Sequence, residues 1–385
     1  MIAYGKQSIN ETDIQAVIDV LNSEFLTQGP MIERFERRVA EYCGAKYAVA
    51  VTNATSALHI ACLAAGLGKE DVLWTSPITF VASANCGRYC GARVDFVDIN
   101  EKTYNMDVDV LESKLKKSKA NGDVPKIVVP VHLAGQSCDM QRIHELSEEY
   151  GFVVLEDASH GVGAEYLGGK VGSCKFSDMT VFSFHPVKII TTGEGGMVLT
   201  NNDELYKKML LYRSHGITRD AALMTHESDG SWYYQQLELG YNYRMTDIQA
   251  ALGYSQMERL DDFVKRRREL ASRYNELLKD LPLGTPCVIP DANPSWHIYI
   301  VRIDFSRVKK SKQEIFDAMK ARGIVLNLHY IPVHTQPYYE NLGFSRGDFL
   351  VSEQYYREAF TLPLYYELTD HDQVAIVESL RDALG

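Results

Sequence analysis

The stretch YAVAVTNATSALHIACLAAGL, residues 47–67, decides how the chain is read. Its first five residues are apolar and valine-rich, as in a strand covered on both faces. Thr52 and Asn53 then offer cap-type side chains, and helix formers continue to Gly66. One short stretch thus holds a strand, a turn and a helix.

The same unit recurs downstream. DVLWTS (71–76) precedes a helix from about Thr79, RVDFVDI (93–99) one from about Asp107, and KIVVPVH (126–132) one from Asp139. FVVLEDASH (152–160) closes the run as a strand ending in a polar cluster, and GGMVLTN (195–201) adds a strand before a helix from Asp203. Upstream, Asn10 caps a helix over ETDIQAVIDVLNS. The alternation predicts an α/β fold with a mainly parallel sheet between helices. Ligands of such sheets gather at the carboxyl ends of strands, where Asn53–Ser56 and Asp157–His160 fall.

Residues 219–241 are polar, aromatic and aperiodic, and read as a long loop. Residues 244–281 read as one long helix leading to a second unit. Beyond Pro282 the order is strand (HIYIVRI, 297–303), helix, strand (IVLNLHY, 324–330) and helix. The chain therefore divides into a large domain, 1–256, and a small α+β domain, 257–385.

The net charge of −11 argues against a nucleic-acid surface, which needs a basic face. MIAYGKQSINETD carries acids early and has no apolar core for a signal peptide. No apolar run reaches the roughly 18 residues of a membrane span. The seven cysteines are scattered, and Cys86 and Cys90 fit no familiar zinc spacing, so no metal is expected. Reduced thiols in a cytoplasmic protein are the simplest reading.

SFHPVKIITTGEGG, residues 183–196, raises the chemistry. Lys188 sits in an apolar turn beside Ile189 and Ile190. A lysine ordinarily titrates near 10.4 and attacks a carbonyl only after losing its proton, which burial favours. The glycines that follow allow a backbone to approach a ligand closely. Asp157 ends an apolar strand, so a half-buried carboxylate there needs a donor or a cation. Ala54, Thr55 and Ser56 open a helix after a strand, where free N–H groups and the helix dipole favour a phosphate. Ser183 is a second donor, and Phe80 is placed to stack on an aromatic ligand. Each residue has a plainer reading alone: surface lysine, capping aspartate, ordinary N-cap, core phenylalanine. Together they match the set that holds pyridoxal 5′-phosphate, a Schiff-base lysine with an acid at the pyridinium nitrogen.

EDASH, FSFHPVKIITTGEGGMVLTN, RSHGI and GYNYRMTDIQAALG together resemble the sugar aminotransferases of the DegT/DnrJ/EryC1/StrS family. The resemblance runs from LTQGP near the start to HYIPVHTQPYY near the end. It implies a fold-type I aminotransferase acting as a homodimer with shared active sites. By matching motif, Lys188 is the Schiff-base lysine and proton carrier, and Asp157 holds the pyridinium nitrogen. His160 lies near the ring's phenolic oxygen, and Phe80 stacks on the ring. Ala54, Thr55 and Ser183 hold phosphate or adjoining substrate atoms, and Asn242 reaches the phosphate region of the partner's site. Tyr4, Glu24, Phe25, Leu26 and Thr27, with His329, Tyr330, Ile331 and Pro332, match positions lining the sugar-nucleotide pocket. YGKQSINETDIQAVIDVLNSEFLTQGP and NATSAL most resemble the branch serving pseudaminic acid biosynthesis. That branch implies UDP-2-acetamido-2,6-dideoxy-β-L-arabino-hex-4-ulose as the keto-sugar and glutamate as amino donor. The alternatives are another nucleotide keto-sugar (perosamine, 4-amino-arabinose or bacillosamine type, or a 3-keto sugar), or a non-catalytic α/β phosphate-binding regulator.

Overall fold

The computed structural model describes residues 1–385. Its central sheet has seven strands: β1 (Tyr47–Val51), β2 (Val72–Thr75), β3 (Arg93–Phe96), β4 (Ile127–Val129), β5 (Val153–Asp157), β6 (Met179–Ser183) and β7 (Gly196–Thr200). Their order is β1-β7-β6-β5-β4-β2-β3. β7 alone is antiparallel to its neighbours, so β1 points the same way as β6 and the rest. Every residue of β4 and β6 is buried, as expected where helices cover both faces.

The covering helices are α1 (Glu11–Leu21), α2 (Pro30–Cys43), α3 (Ala54–Ala64), α4 (Ala82–Tyr89), α5 (Val108–Asn121), α6 (Met140–Tyr150), α7 (Asp203–Arg213), α8 (Asp247–Met257) and α9 (Leu260–Leu278). Asn10, Asp107, Asp139 and Asn202 cap α1, α5, α6 and α7 through their side chains. Gly44, Gly122 and Gly151 end α2, α5 and α6 in the left-handed conformation that glycine adopts without penalty.

The long helix expected over 244–281 is two helices. Arg259 stands between α8 and α9 at φ −111°, ψ 5°. Its guanidinium donates to Asp13 Oδ2 at 2.5 Å, and Ser255 and Gln256 donate to the same buried carboxylate. A buried charge requires such donors, and Arg259 meets Asp13 on α1 at the break between α8 and α9.

The C-terminal region holds β8 (Tyr299–Ile303), α10 (Lys312–Ala321), α11 (Leu350–Glu358), β9 (Ala359–Leu362) and α12 (Asp370–Leu384). β8 lies between Leu283–Gly284 and β9, antiparallel to both. This sheet packs with α9, α10 and α12 around its own core, from Leu270 to Leu384. The strand expected over 324–330 is not regular. Ile324 bridges Ile2 and Asn327 bridges Thr361, and β9 takes the expected place beside β8. After Asn327 the segment leaves the sheet and turns toward the large cavity described below. No helix is long and apolar enough to cross a membrane, and all seven cysteines are free thiols.

Candidate active site

Because β1, β2, β4, β5 and β6 share one direction, their carboxyl ends share one edge. A cavity of about 600 Å³ opens there, lined by residues that follow each of those strands. Asn53, Ala54 and Thr55 follow β1, Thr79 and Phe80 follow β2, Val131 follows β4, and Asp157 and Ser183 end β5 and β6. This is the strand-end crevice in which α/β sheets bind ligands.

Lys188 reaches the cavity from a loop pinned at Phe184. The Phe184 carbonyl accepts from Thr192 N–H at 3.0 Å and from Thr191 Oγ1 at 3.0 Å. Ile189 and Ile190 turn into the core and are buried, which leaves Lys188 on the cavity side. Burial pushes the Lys188 ammonium down to about 8, and the Asp157 charge works against that shift. A lysine so placed exchanges its proton near neutral pH.

Asp157 is 5% exposed. Its Oδ1 accepts from Ser159 N–H (3.1 Å) and Ser159 Oγ (2.6 Å), and its Oδ2 from Ser83 Oγ (2.5 Å). His160 is buried. Its Nδ1 accepts from Ala134 N–H at 3.2 Å, which leaves Nε2 as the donor toward Tyr330 Oη at 3.0 Å. Burial, followed by the Lys188 charge and His329, holds His160 well below the usual histidine range, so its imidazole is neutral. His297 packs at 4.4 Å from His160 and is held low chiefly by burial, then by Lys188. His329 is lowered to about 3 by burial first and then by Lys188.

Asn53 caps α3 by accepting from Ser56 N–H at 2.8 Å. Ala54 and Thr55 N–H have no protein acceptor and stand at the cavity. Ser56 does not join them, because its N–H serves the cap and its hydroxyl meets Thr52 Oγ1 at 3.1 Å. The glycines after Lys188 also differ from expectation. A Cβ on Gly196 would sit 2.5 Å from Ala54 N, and one on Gly195 would sit 2.1 Å from Thr192 Oγ1. Gly196 lets the start of β7 approach the Asn53–Ala54 turn, and Gly195 lets the loop fold closely onto Thr192 and Met245, rather than either meeting a ligand.

Tyr4, Ala54, Thr55, Phe80, Asp157, His160, Ser183, Lys188, His329 and Tyr330 all line the cavity. Glu24, Phe25, Leu26, Thr27, Asn242, Ile331 and Pro332 do not line it. Residues 24–27 are exposed and lie against the start of α8, where Thr27 bridges Thr246 and Leu26 O accepts from Asp247 N–H. Asn242 is exposed and bridges Ser214. Sequence reasoning missed Ser83, Ser159, Glu194, His297 and Asn327. Ser159 had a local signal, a hydroxyl two residues after a strand-end aspartate, and Glu194 lies in the Lys188 stretch itself, whereas His297 and Asn327 arrive from distant segments.

The residues fit pyridoxal phosphate. Acceptor-free N–H groups at a helix start suit a phosphate, and a 59% exposed Phe80 offers an apolar face inside a cavity. A buried carboxylate whose donors are all uncharged suits a ring cation, and a lysine shifted toward neutrality suits covalent attachment.

The chain as a whole is similar to known proteins. Residues 7–381 match the model of the DegT/DnrJ/EryC1/StrS aminotransferase family. The chain is 40% identical to the spore coat polysaccharide biosynthesis protein SpsC of Bacillus subtilis, covering 99% of this chain and 96% of that one. It is 37% identical to a UDP-4-amino-4,6-dideoxy-N-acetyl-beta-L-altrosamine transaminase of Campylobacter jejuni, over 99% and 96% of the two chains. Among solved structures, Helicobacter pylori PseC, an aminotransferase involved in pseudaminic acid biosynthesis, superposes with a TM-score of 0.90 at 31% identity, covering 100% and 99%. The PLP form of a putative sugar aminotransferase from Streptococcus pneumoniae gives 0.88 at 28% identity, covering 99% and 97%. The chain therefore belongs to the DegT/DnrJ/EryC1/StrS aminotransferase family, as a sugar aminotransferase that uses pyridoxal phosphate.

Proposed function

We propose that the protein aminates C4 of UDP-2-acetamido-2,6-dideoxy-β-L-arabino-hex-4-ulose, with glutamate as donor, in pseudaminic acid biosynthesis. The observation that carries this reading is the 37% identity, along 99% of the chain, to a transaminase named for that 4-amino product.

Pyridoxal phosphate, when bound, supplies an electron sink for removing and returning a proton at the carbon bearing the amino nitrogen. Ala54 and Thr55 N–H groups, with Ser183, would hold its phosphate, and Phe80 would offer its face to the ring. Asp157 offers the negative partner for the ring nitrogen. Neutral His160, whose Nε2 meets Tyr330 Oη, would lie near the ring oxygen. Lys188 Nζ anchors the cofactor and, when free, moves the proton as base and then acid; its lowered proton affinity suits both roles. Tyr4, His329 and Tyr330 face the sugar side of the cavity.

The protein works as a homodimer in this reading. The exposed 24–27 segment and Asn242 serve a neighbouring copy's cavity, which explains why site-motif residues face outward. Ile331 and Pro332 complete the sugar-nucleotide rim.

A second reading has its own support. The 40% identity to SpsC, named for spore coat polysaccharide, favours a different nucleotide keto-sugar. A panel of 4-keto and 3-keto nucleotide sugars with glutamate, products identified by NMR, separates the two. The first reading requires the β-L-arabino-4-ulose to give the highest kcat/KM; preference for another epimer or for C3 overturns it.

A further inference from the structure

The turn that carries Phe80 also holds two hydroxyls in line with Asp157. Ser83 Oγ lies 2.5 Å from Asp157 Oδ2, and Thr79 Oγ1 lies 2.6 Å from Ser83 Oγ. Thr79 and Ser83 are 2% and 0% exposed. Proton counting fixes the direction of the chain. An ionised carboxylate only accepts, so Ser83 donates its single hydrogen to Asp157. The Phe80 carbonyl, at 3.4 Å from Ser83 Oγ, is too distant to compete. The contact between the hydroxyls must then use the Thr79 hydrogen. Thr79 donates to Ser83, and Ser83 donates to Asp157.

Ser159 places both of its hydrogen bonds on Oδ1. Without Ser83, all its local donors would hold one oxygen, and the carboxylate would be free to turn about its Cβ–Cγ bond. Donors on both oxygens fix its plane, and uncharged donors leave its negative charge for the cavity.

We propose that Ser83, oriented by Thr79, is a positioning residue that sets the plane of Asp157 toward the ring nitrogen of pyridoxal phosphate. This rests on the reading of Asp157 as that nitrogen's partner. The same turn carries Phe80, so one segment after β2 fixes both the face of the ring and the acid at its edge. The role belongs to the cofactor's seat and does not depend on which sugar is bound.

The test compares wild type, Ser83→Ala, Thr79→Val, Thr79→Ser, the Ser83→Ala/Thr79→Val double variant and Asp157→Asn. Each is stripped of cofactor, checked by near-ultraviolet circular dichroism, and titrated with pyridoxal phosphate. The readouts are the dissociation constant and the visible circular dichroism of the bound cofactor, which reports how the ring is held. Ser83→Ala should weaken binding about tenfold and reduce the visible signal, and Thr79→Val should do so about threefold. Thr79→Ser keeps the hydroxyl and should behave as wild type. The double variant should be no worse than Ser83→Ala, because Thr79 acts through Ser83. If Ser83→Ala does not fold, Thr79→Val against Thr79→Ser decides by the same readouts. Wild-type binding and signal in Ser83→Ala, beside a weakened Asp157→Asn, overturn the positioning role alone. Losses that simply multiply in the double variant overturn the relay. Wild-type binding and signal in Asp157→Asn overturn the reading of Asp157, and this proposal with it.

Discussion

Asp157 and Asn242 stand at opposite extremes of the family motif set. Asp157 is 5% exposed at the end of a central strand, with both carboxylate oxygens engaged. Asn242 is exposed and bridges only its neighbour segment at Ser214. The same division separates Lys188, Ala54, Thr55 and Ser183 from residues 24–27. The cavity half of the motif set gathers at strand ends and on the Lys188 loop of one chain. The outer half rests on exposed segments outside the cavity, and we propose that it works on a second subunit. Rigid sheet edges hold what must not move, and loops carry what sets specificity.

Breaking the cavity half should cost most. Lys188→Ala removes both anchor and proton carrier, and transamination should fall roughly 10⁴-fold or more while the fold persists. Substantial turnover by this variant would sink the role. Asp157→Asn keeps the shape but removes the charge, and each half-reaction should slow about 10²-fold in single-turnover kinetics. Wild-type rates would remove Asp157 from the ring nitrogen.

The outer half sharpens the comparison through complementation. Lys188→Ala and Asn242→Ala subunits, mixed equally after dissociation, form dimers with one intact site. If Asn242 acts across the dimer, activity should recover to roughly a quarter of wild type. No recovery on mixing would place Asn242 in its own chain's site or outside the site altogether.

These halves were unequally legible in the sequence. Apolar runs that end abruptly in polar residues mark the strand ends, so Asp157, Ser183 and Thr55 stand out in the sequence, and Lys188 stands out as a lysine in an apolar turn; all four line the cavity. Ser83 and His297 were not, because each matters through a contact with a segment far away in the chain, and no local period encodes that. The same blindness misplaced element boundaries. The apolar period continues through Glu258 and Arg259, yet the helix breaks where Arg259 meets Asp13. IVLNLHY has the alternation of a strand, yet only Asn327 keeps a bridge to Thr361 before the segment turns to the cavity. The outward orientation of Asn242 was legible only through the family motif.

The smallest expected effect concerns Lys188 and pH. Burial lowers it to about 8 from 10.5. Below about 8, folded and unfolded chains both hold the proton, and the cost of burying the ammonium is fully present. Between 8 and 10.5 the folded chain releases the proton while the unfolded chain keeps it, so stability rises with pH. Cofactor-stripped wild type should therefore gain at most about 3 kcal/mol across that window relative to Lys188→Met, measured by urea unfolding. Parallel pH profiles would show that Lys188 is as well solvated as a surface lysine.

The most direct measurement is to reduce the cofactor-loaded protein with borohydride, digest it and locate the pyridoxyl group by mass spectrometry. The account predicts a yellow protein that bleaches on reduction, with the label on the peptide containing Lys188 and absent from Lys188→Ala. A label on any other lysine, or none on a fully loaded protein, would contradict it.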